Sequence, residues 1–132
     1  MLLVTNRQCW PLENREVPVY VSASRVDAAE VAKERDNPEI LILDDAYQHL
    51  KIKRDLNLIL VDGERGFGNS QLLPLGPLRE PLESAERADA VIVTKSNLGN
   101  FDEVLQTILK FKHDDCPVFQ FDYRVEKITS LD

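Results

Sequence analysis

The sequence predicts an α/β fold: a mostly parallel sheet flanked by helices. Three observations predict it. Short apolar runs recur along the chain, and three of them show little polar alternation, as expected of parallel strands covered on both faces. Helical signals fall between the runs. One run ends in adjacent acidic residues, at the strand end beyond which open α/β sheets bind their ligands.

The elements follow in chain order. Residues 17–21, Val-Pro-Val-Tyr-Val, form the first expected strand. Ser24, with Asp27 three residues on, forms a capping box that opens a helix through about Glu34, and Asn37-Pro38 closes it. Strands are then expected at 40–43, at 56–61 and at 90–94, with 118–121 as a candidate fifth. Asn100 caps a second helix. Its apolar positions Phe101, Val104, Leu105, Ile108 and Leu109 make one stripe, and Lys110, Lys112 and His113 suit the negative end of the helix dipole. Between Asp62 and Pro81 the breakers Gly63, Gly66, Gly68, Pro74, Gly76 and Pro77 exclude a regular helix. The apolar Phe67, Leu72, Leu73, Leu75 and Leu78 favour an ordered loop over disorder.

The whole-chain totals narrow the function. With 132 residues, one domain is expected over 1–132, short for an enzyme that holds both a nucleotide and a second substrate. A net charge of −7 argues against a general nucleic-acid surface, so any phosphate is bound locally. No apolar run reaches membrane-spanning length, and the start, Met1 to Arg7, lacks the h-region and cleavage site of a secretory signal. Cys9 and Cys116 are far apart and have no histidine at ligand spacing, which suggests neither zinc nor a disulfide framework and fits a reducing cytoplasm.

The residues with chemistry to offer gather at the ends of the expected strands. Asp44 and Asp45 follow Ile40-Leu41-Ile42-Leu43, where one carboxylate can hold a hydrated magnesium ion and the other can set charge around a transferred group; a plain strand-end turn is the alternative. Gln48 and His49 come one turn later, in reach of a phosphate or a metal's water shell. His49 suits proton transfer and equally suits a structural hydrogen bond. Arg65, among Gly63, Gly66 and Gly68, offers a planar fork for phosphate in a loop that lacks the Gly-Lys-Ser/Thr ending of a P-loop and can also be a simple turn. Arg79 either neutralises substrate phosphate or pairs with Glu80 or Glu83. Thr94-Lys95-Ser96-Asn97 is similar to the base-reading signature of GTP-binding domains, with Asn97 in place of the guanine-reading Asp. The stem of Lys95 is then a candidate purine contact, or an exposed strand-end lysine.

From about Val17 to Asn97 these residues together resemble the tetraacyldisaccharide 4'-kinase (lipid A 4'-kinase) family. The family's block of Asp-Asp-x-x-Gln-His, Arg-Asp, an apolar strand, Asp-Gly, Arg-x-Phe-Gly-Asn and Leu-Leu-Pro-x-Gly-Pro-Leu-Arg-Glu-Pro is present in order. It runs through Asp44, Asp45, Gln48, His49, Arg54, Asp55, Asp62, Gly63, Arg65, Phe67, Gly68, Asn69, Leu72 to Pro74 and Gly76 to Pro81. The resemblance implies transfer of the γ-phosphoryl group of ATP, with Mg2+, to the 4'-hydroxyl of a tetraacyldisaccharide 1-phosphate at the cytoplasmic face of the inner membrane. It makes Asp44 and Asp45 a metal-organising Walker B pair, with His49 catalytic beside them, Gln48, Arg65 and Arg79 contacting substrate or phosphate, and Lys95 contacting the nucleotide.

In the family a P-loop and a Gly-Asp-Glu-Pro segment precede this block, and a histidine follows it. The resemblance therefore implies a central piece of the enzyme, a P-loop-NTPase-like core lacking its N-terminal P-loop segment, with peripheral membrane contact belonging to the full-length enzyme. A non-catalytic α/β nucleotide-binding or interaction domain is the alternative reading, and a GTPase-like domain built on Lys95 is a third.

Overall fold

The computed structural model describes residues 2–5, 18–124 and 126. The expectations for Val17, Cys9 and Asp132 lie outside the described residues. The chain divides into two compact units, Met1–Arg54 and Asp55–Asp132, which are taken separately.

In the first unit β1 (Leu2–Thr5) lies between β2 (Val19–Val21) and β3 (Leu41–Leu43), and both pairings are parallel. A parallel pair needs a crossover, and α1 (Arg25–Asp36) provides the one from β2 to β3. The Oγ of Ser24 accepts from the Asp27 N–H at 3.3 Å, one half of the expected box. The other half does not form, because the Ser24 N–H donates to the Oγ of Ser22. The helix runs two residues past Glu34, until Asn37 takes a left-handed conformation (φ 41°) and its N–H returns to the Lys33 carbonyl. Ala28 and Ala32 are buried, packed with Tyr20, Leu41 and Leu43; side chains this small let the helix approach the sheet closely. The strand at Leu2–Thr5 was not expected from the sequence, although Leu-Leu-Val-Thr suits one.

In the second unit β5 (Ala90–Thr94) lies between β4 (Leu58–Asp62) and β6 (Val118–Phe121), again all parallel. The crossover from β5 to β6 is α2 (Phe101–Phe111), capped by Asn100 as expected, with Val104 and Ile108 buried. The crossover from β4 to β5 holds the glycine-rich loop and a 3-10 helix, Leu82–Arg87, that the sequence reading did not identify. β4 starts at Leu58 instead of residue 56, because Asn57 and Asp89 exchange hydrogen bonds ahead of the ladder, and Leu56 is left exposed. At the other end Asp62 stays in register with Thr94.

Parallel sheets with crossover helices confirm the α/β class, an arrangement compatible with a P-loop-like core. The expectation that the apolar strands are covered on both faces is corrected for β3 and β4, whereas the central β5 has no exposed residue. Val61, Val91 and Val93 are buried, whereas Leu58, Leu60, Phe119 and Phe121, which the register puts on the opposite face, are exposed. Likewise Ile42 is exposed, while its neighbours Leu41 and Leu43 meet α1. In a strand alternate side chains serve opposite faces, so at the sheet edges β4 and β6 a run with only one face covered leaves its alternate residues in solvent.

Candidate functional site

The acidic turn begins where β3 ends. Asp44 and Asp45 follow Leu43 directly, with Asp44 part-buried and Asp45 exposed. Asp45 takes a positive φ of 50°, a conformation that costs a non-glycine residue and turns the chain away from the strand direction. Ala46 is buried beneath the turn, and the His49 N–H returns to the Ala46 carbonyl at 2.9 Å, so that Gln48 and His49 belong to the same short segment as the acids. Two guanidinium groups hold this backbone. Arg25 donates to the Asp44 and Asp45 carbonyls, and Arg54 to those of Ala46 and Tyr47.

In the second unit the polar residues gather at the carboxyl ends of β4 and β5. Asp62 organises the glycine-rich turn: its Oδ1 accepts from the Glu64 and Arg65 N–H groups, and its carbonyl accepts from Gly66. Gly63 donates to the Thr94 carbonyl at 2.7 Å. A Cβ at Gly63 would stand 2.8 Å from that oxygen, so the close approach of β4 and β5 requires glycine there. Lys95 Nζ lies 2.7 Å from Asp62 Oδ2 and 3.7 Å from Glu64 Oε2. The hydrogen bond from Lys95, helped by the two turn N–H groups, holds the Asp62 carboxyl below its ordinary range against the opposing effect of desolvation. The same bond holds Lys95 above its ordinary range.

Arg65 lines a cleft with Gly66, Gly68, Ser70, Asn100 and Thr107. Its volume of about 140 Å³ is below the ~300 Å³ at which ligand pockets usually begin, so by itself it does not enclose a nucleotide. Further along, Asn69 Nδ2 donates to the Leu75 carbonyl, and Leu73 and Leu78 are cross-bonded to residues 78 and 71. Leu72, Leu73 and Leu75 are exposed, so backbone hydrogen bonds, and not buried leucines, hold this part of the loop. Arg79 is exposed, and Glu80, one of its expected partners, carries an ion pair with Arg87 at 2.5 Å.

Of the predicted site residues, the structure brings Asp44, Asp45, Gln48 and His49 together in the first unit and places Arg65, Arg79 and Lys95 in the second. Arg25 and Asp62 were not singled out from the sequence as site residues. Arg25 did leave a signal, since an arginine opening a helix is opposed by the helix dipole and calls for a separate reason.

Among the described residues no three His, Cys, Asp or Glu side chains converge to hold a metal ion. Mg2+ asks for less, because it keeps several waters and is usually held by one or two carboxylates together with substrate phosphates. Two carboxylates at the carboxyl end of a parallel strand fit that donor set.

A sequence model of the Tetraacyldisaccharide-1-P 4'-kinase family matches residues 12–131. The chain belongs to this family. It is 52% identical over 83 residues to the tetraacyldisaccharide 4'-kinase of Desulfatibacillum aliphaticivorans, an alignment that covers 63% of this chain and 23% of the relative. It is 35% identical over 111 residues to the protein of the same name from Elusimicrobium minutum (strain Pei191), covering 83% and 30%. To that of Desulfotalea psychrophila it is 36% identical over 114 residues, covering 85% and 32%. The chain thus spans about a quarter to a third of the length of the curated relatives it matches. No solved structure matches it. Among the described residues of this kinase-family chain, no helix is long and apolar enough to cross a membrane.

Proposed function

We propose that the chain supplies the acidic turn of its first unit and the glycine-rich loop of its second to an ATP-dependent kinase. That kinase transfers the γ-phosphoryl group to the 4'-hydroxyl of a tetraacyldisaccharide 1-phosphate, at the cytoplasmic face of the inner membrane. One observation carries this reading: the family match includes Asp44-Asp45-x-x-Gln-His, and that segment begins at the carboxyl end of a parallel strand.

Asp44 and Asp45, as the Walker B pair, would hold Mg2+, which when bound supplies charge neutralisation to the phosphate oxygens. His49 stands in the same turn and is suited to hold or pass a proton near the attacking hydroxyl, while Gln48 orients a phosphate oxygen or water. Arg65 and Arg79 add fixed positive charge for phosphate on nucleotide or lipid, and the stem of Lys95 packs against the purine. This division suits phosphoryl transfer, in which catalysis rests on positioning and charge stabilisation.

The test replaces the corresponding segment of the Desulfotalea psychrophila relative, whose match covers 85% of this chain, with residues 12–131 of this chain. Phosphate transfer from γ-labelled ATP to tetraacyldisaccharide 1-phosphate, dependent on Mg2+, is the expected result. A folded chimera that transfers none overturns the reading.

A further inference from the structure

Two arginines take four successive carbonyls of the acidic turn. Arg25, the first residue of α1, reaches Asp44 O at 3.5 Å and Asp45 O at 3.2 Å through Nη2. Arg54 reaches Ala46 O at 2.8 Å and Tyr47 O at 3.1 Å through Nη1. Between these two contacts lies the left-handed backbone of Asp45, a conformation that persists only when its surroundings impose it.

Arg25 is placed where stability alone does not favour an arginine. It is 4% exposed, its Nε is buried without a partner, and among the described residues it makes no ion pair. A buried guanidinium without a counter-charge is unfavourable, and the positive end of the α1 dipole adds to that. An apolar side chain at this position would avoid both effects. What it could not do is donate to two adjacent carbonyls of the turn, which Nη2 of Arg25 does.

We propose that Arg25 and Arg54 are positioning residues that together lock the backbone of residues 44–47 in the conformation that presents the acidic pair. The conformational claim stands on the geometry, and its consequence for metal binding rests on the kinase reading above.

The experiment uses the full 132-residue chain and reads amide hydrogen exchange residue by residue, in the wild type and in R25Q, R25K, R54Q and R54K. It is followed by Mn2+ titration of each. The His49 amide, which is bonded to the Ala46 carbonyl that Arg54 also holds, is the reporter. In R54Q and R25Q it exchanges roughly tenfold faster or more, as expected for loss of hydrogen bonds from a charged donor, while the Asn37 amide at the end of α1 stays within about twofold. R54K and R25K fall between, because an ammonium can donate to the same carbonyls but is a strongly hydrated point charge on a flexible stem.

Mn2+ affinity falls several-fold in the glutamine variants and recovers in part in the lysine variants. His49 exchange that stays at the wild-type rate overturns the proposal. So does equal acceleration throughout the first unit, which would mark the arginines as structural only. Should R25Q fail to fold, R25K and the two Arg54 variants decide by the same criteria. A wild-type chain that takes up no Mn2+ defeats the metal assignment of the kinase reading, and the exchange rates still decide the clamp.

Discussion

Lys95 and Asp62 show how a single pair ties the ends of two strands to the loop between them. The folded-state Asp62 carboxyl is held low, first by the Lys95 hydrogen bond, so its contribution to stability is present above its unfolded value and is lost as pH falls through the folded one. Lys95 is held high, so its contribution is complete below its unfolded value and is lost as pH rises through the folded one. The pair's contribution is therefore complete between the ordinary carboxyl range and the ordinary lysine range, and it is lost only beyond them. In K95M the Asp62 carboxyl is expected to titrate nearer its ordinary value, followed by carboxyl NMR shifts, and the acid limb of unfolding against pH becomes flatter. An unchanged Asp62 titration would contradict this. At this scale the position of Asp44 and Asp45 just beyond a strand was legible in the sequence, because an apolar run followed by acids has a local signature; their chemical role is the proposal above. Arg25 was not legible, because its partners are carbonyls about 20 residues away, reached only once α1 has packed.

The helices illustrate what sequence patterns can and cannot convey about an element. The place and cap of α2 were legible, since both signals are local, whereas of its stripe only Val104 and Ile108 are buried and Lys112 and His113 fall beyond its last residue. Ile108 is 3% exposed and Leu109 48%, so I108A is expected to lower stability by roughly 2–4 kcal/mol and L109A by under about 1, in urea unfolding. Removing the cap in N100A should cost about 1 kcal/mol. Equal losses for I108A and L109A would mean that the stripe does not face the core. The 3-10 helix was not legible, because it lacks a repeating stripe and none of its residues is buried. In the loop before it, the leucines suggested order over disorder, but the order comes from backbone and Asn69 hydrogen bonds that hydropathy does not report.

At the scale of the molecule, the parallel α/β class was legible from apolar runs alternating with helical signals, whereas the strand order, with the unexpected β1 at the centre of the first sheet, and the bare sheet faces were not. An apolar run looks the same whether one face is covered or two. Leu58, Leu60, Phe119 and Phe121 therefore form an exposed apolar strip of the kind that marks interaction surfaces, in a chain that spans about a quarter to a third of its relatives' length. Activity is accordingly best tested within a full-length relative. The most direct measurement is phosphate transfer by the chimera carrying residues 12–131, with Asp44→Asn and Asp45→Asn introduced singly and folding checked by circular dichroism. If the acidic turn holds the charge at the heart of the site, each substitution lowers transfer by about a hundredfold or more and leaves the fold unchanged. Transfer within about twofold of the unsubstituted chimera for both would contradict that assignment.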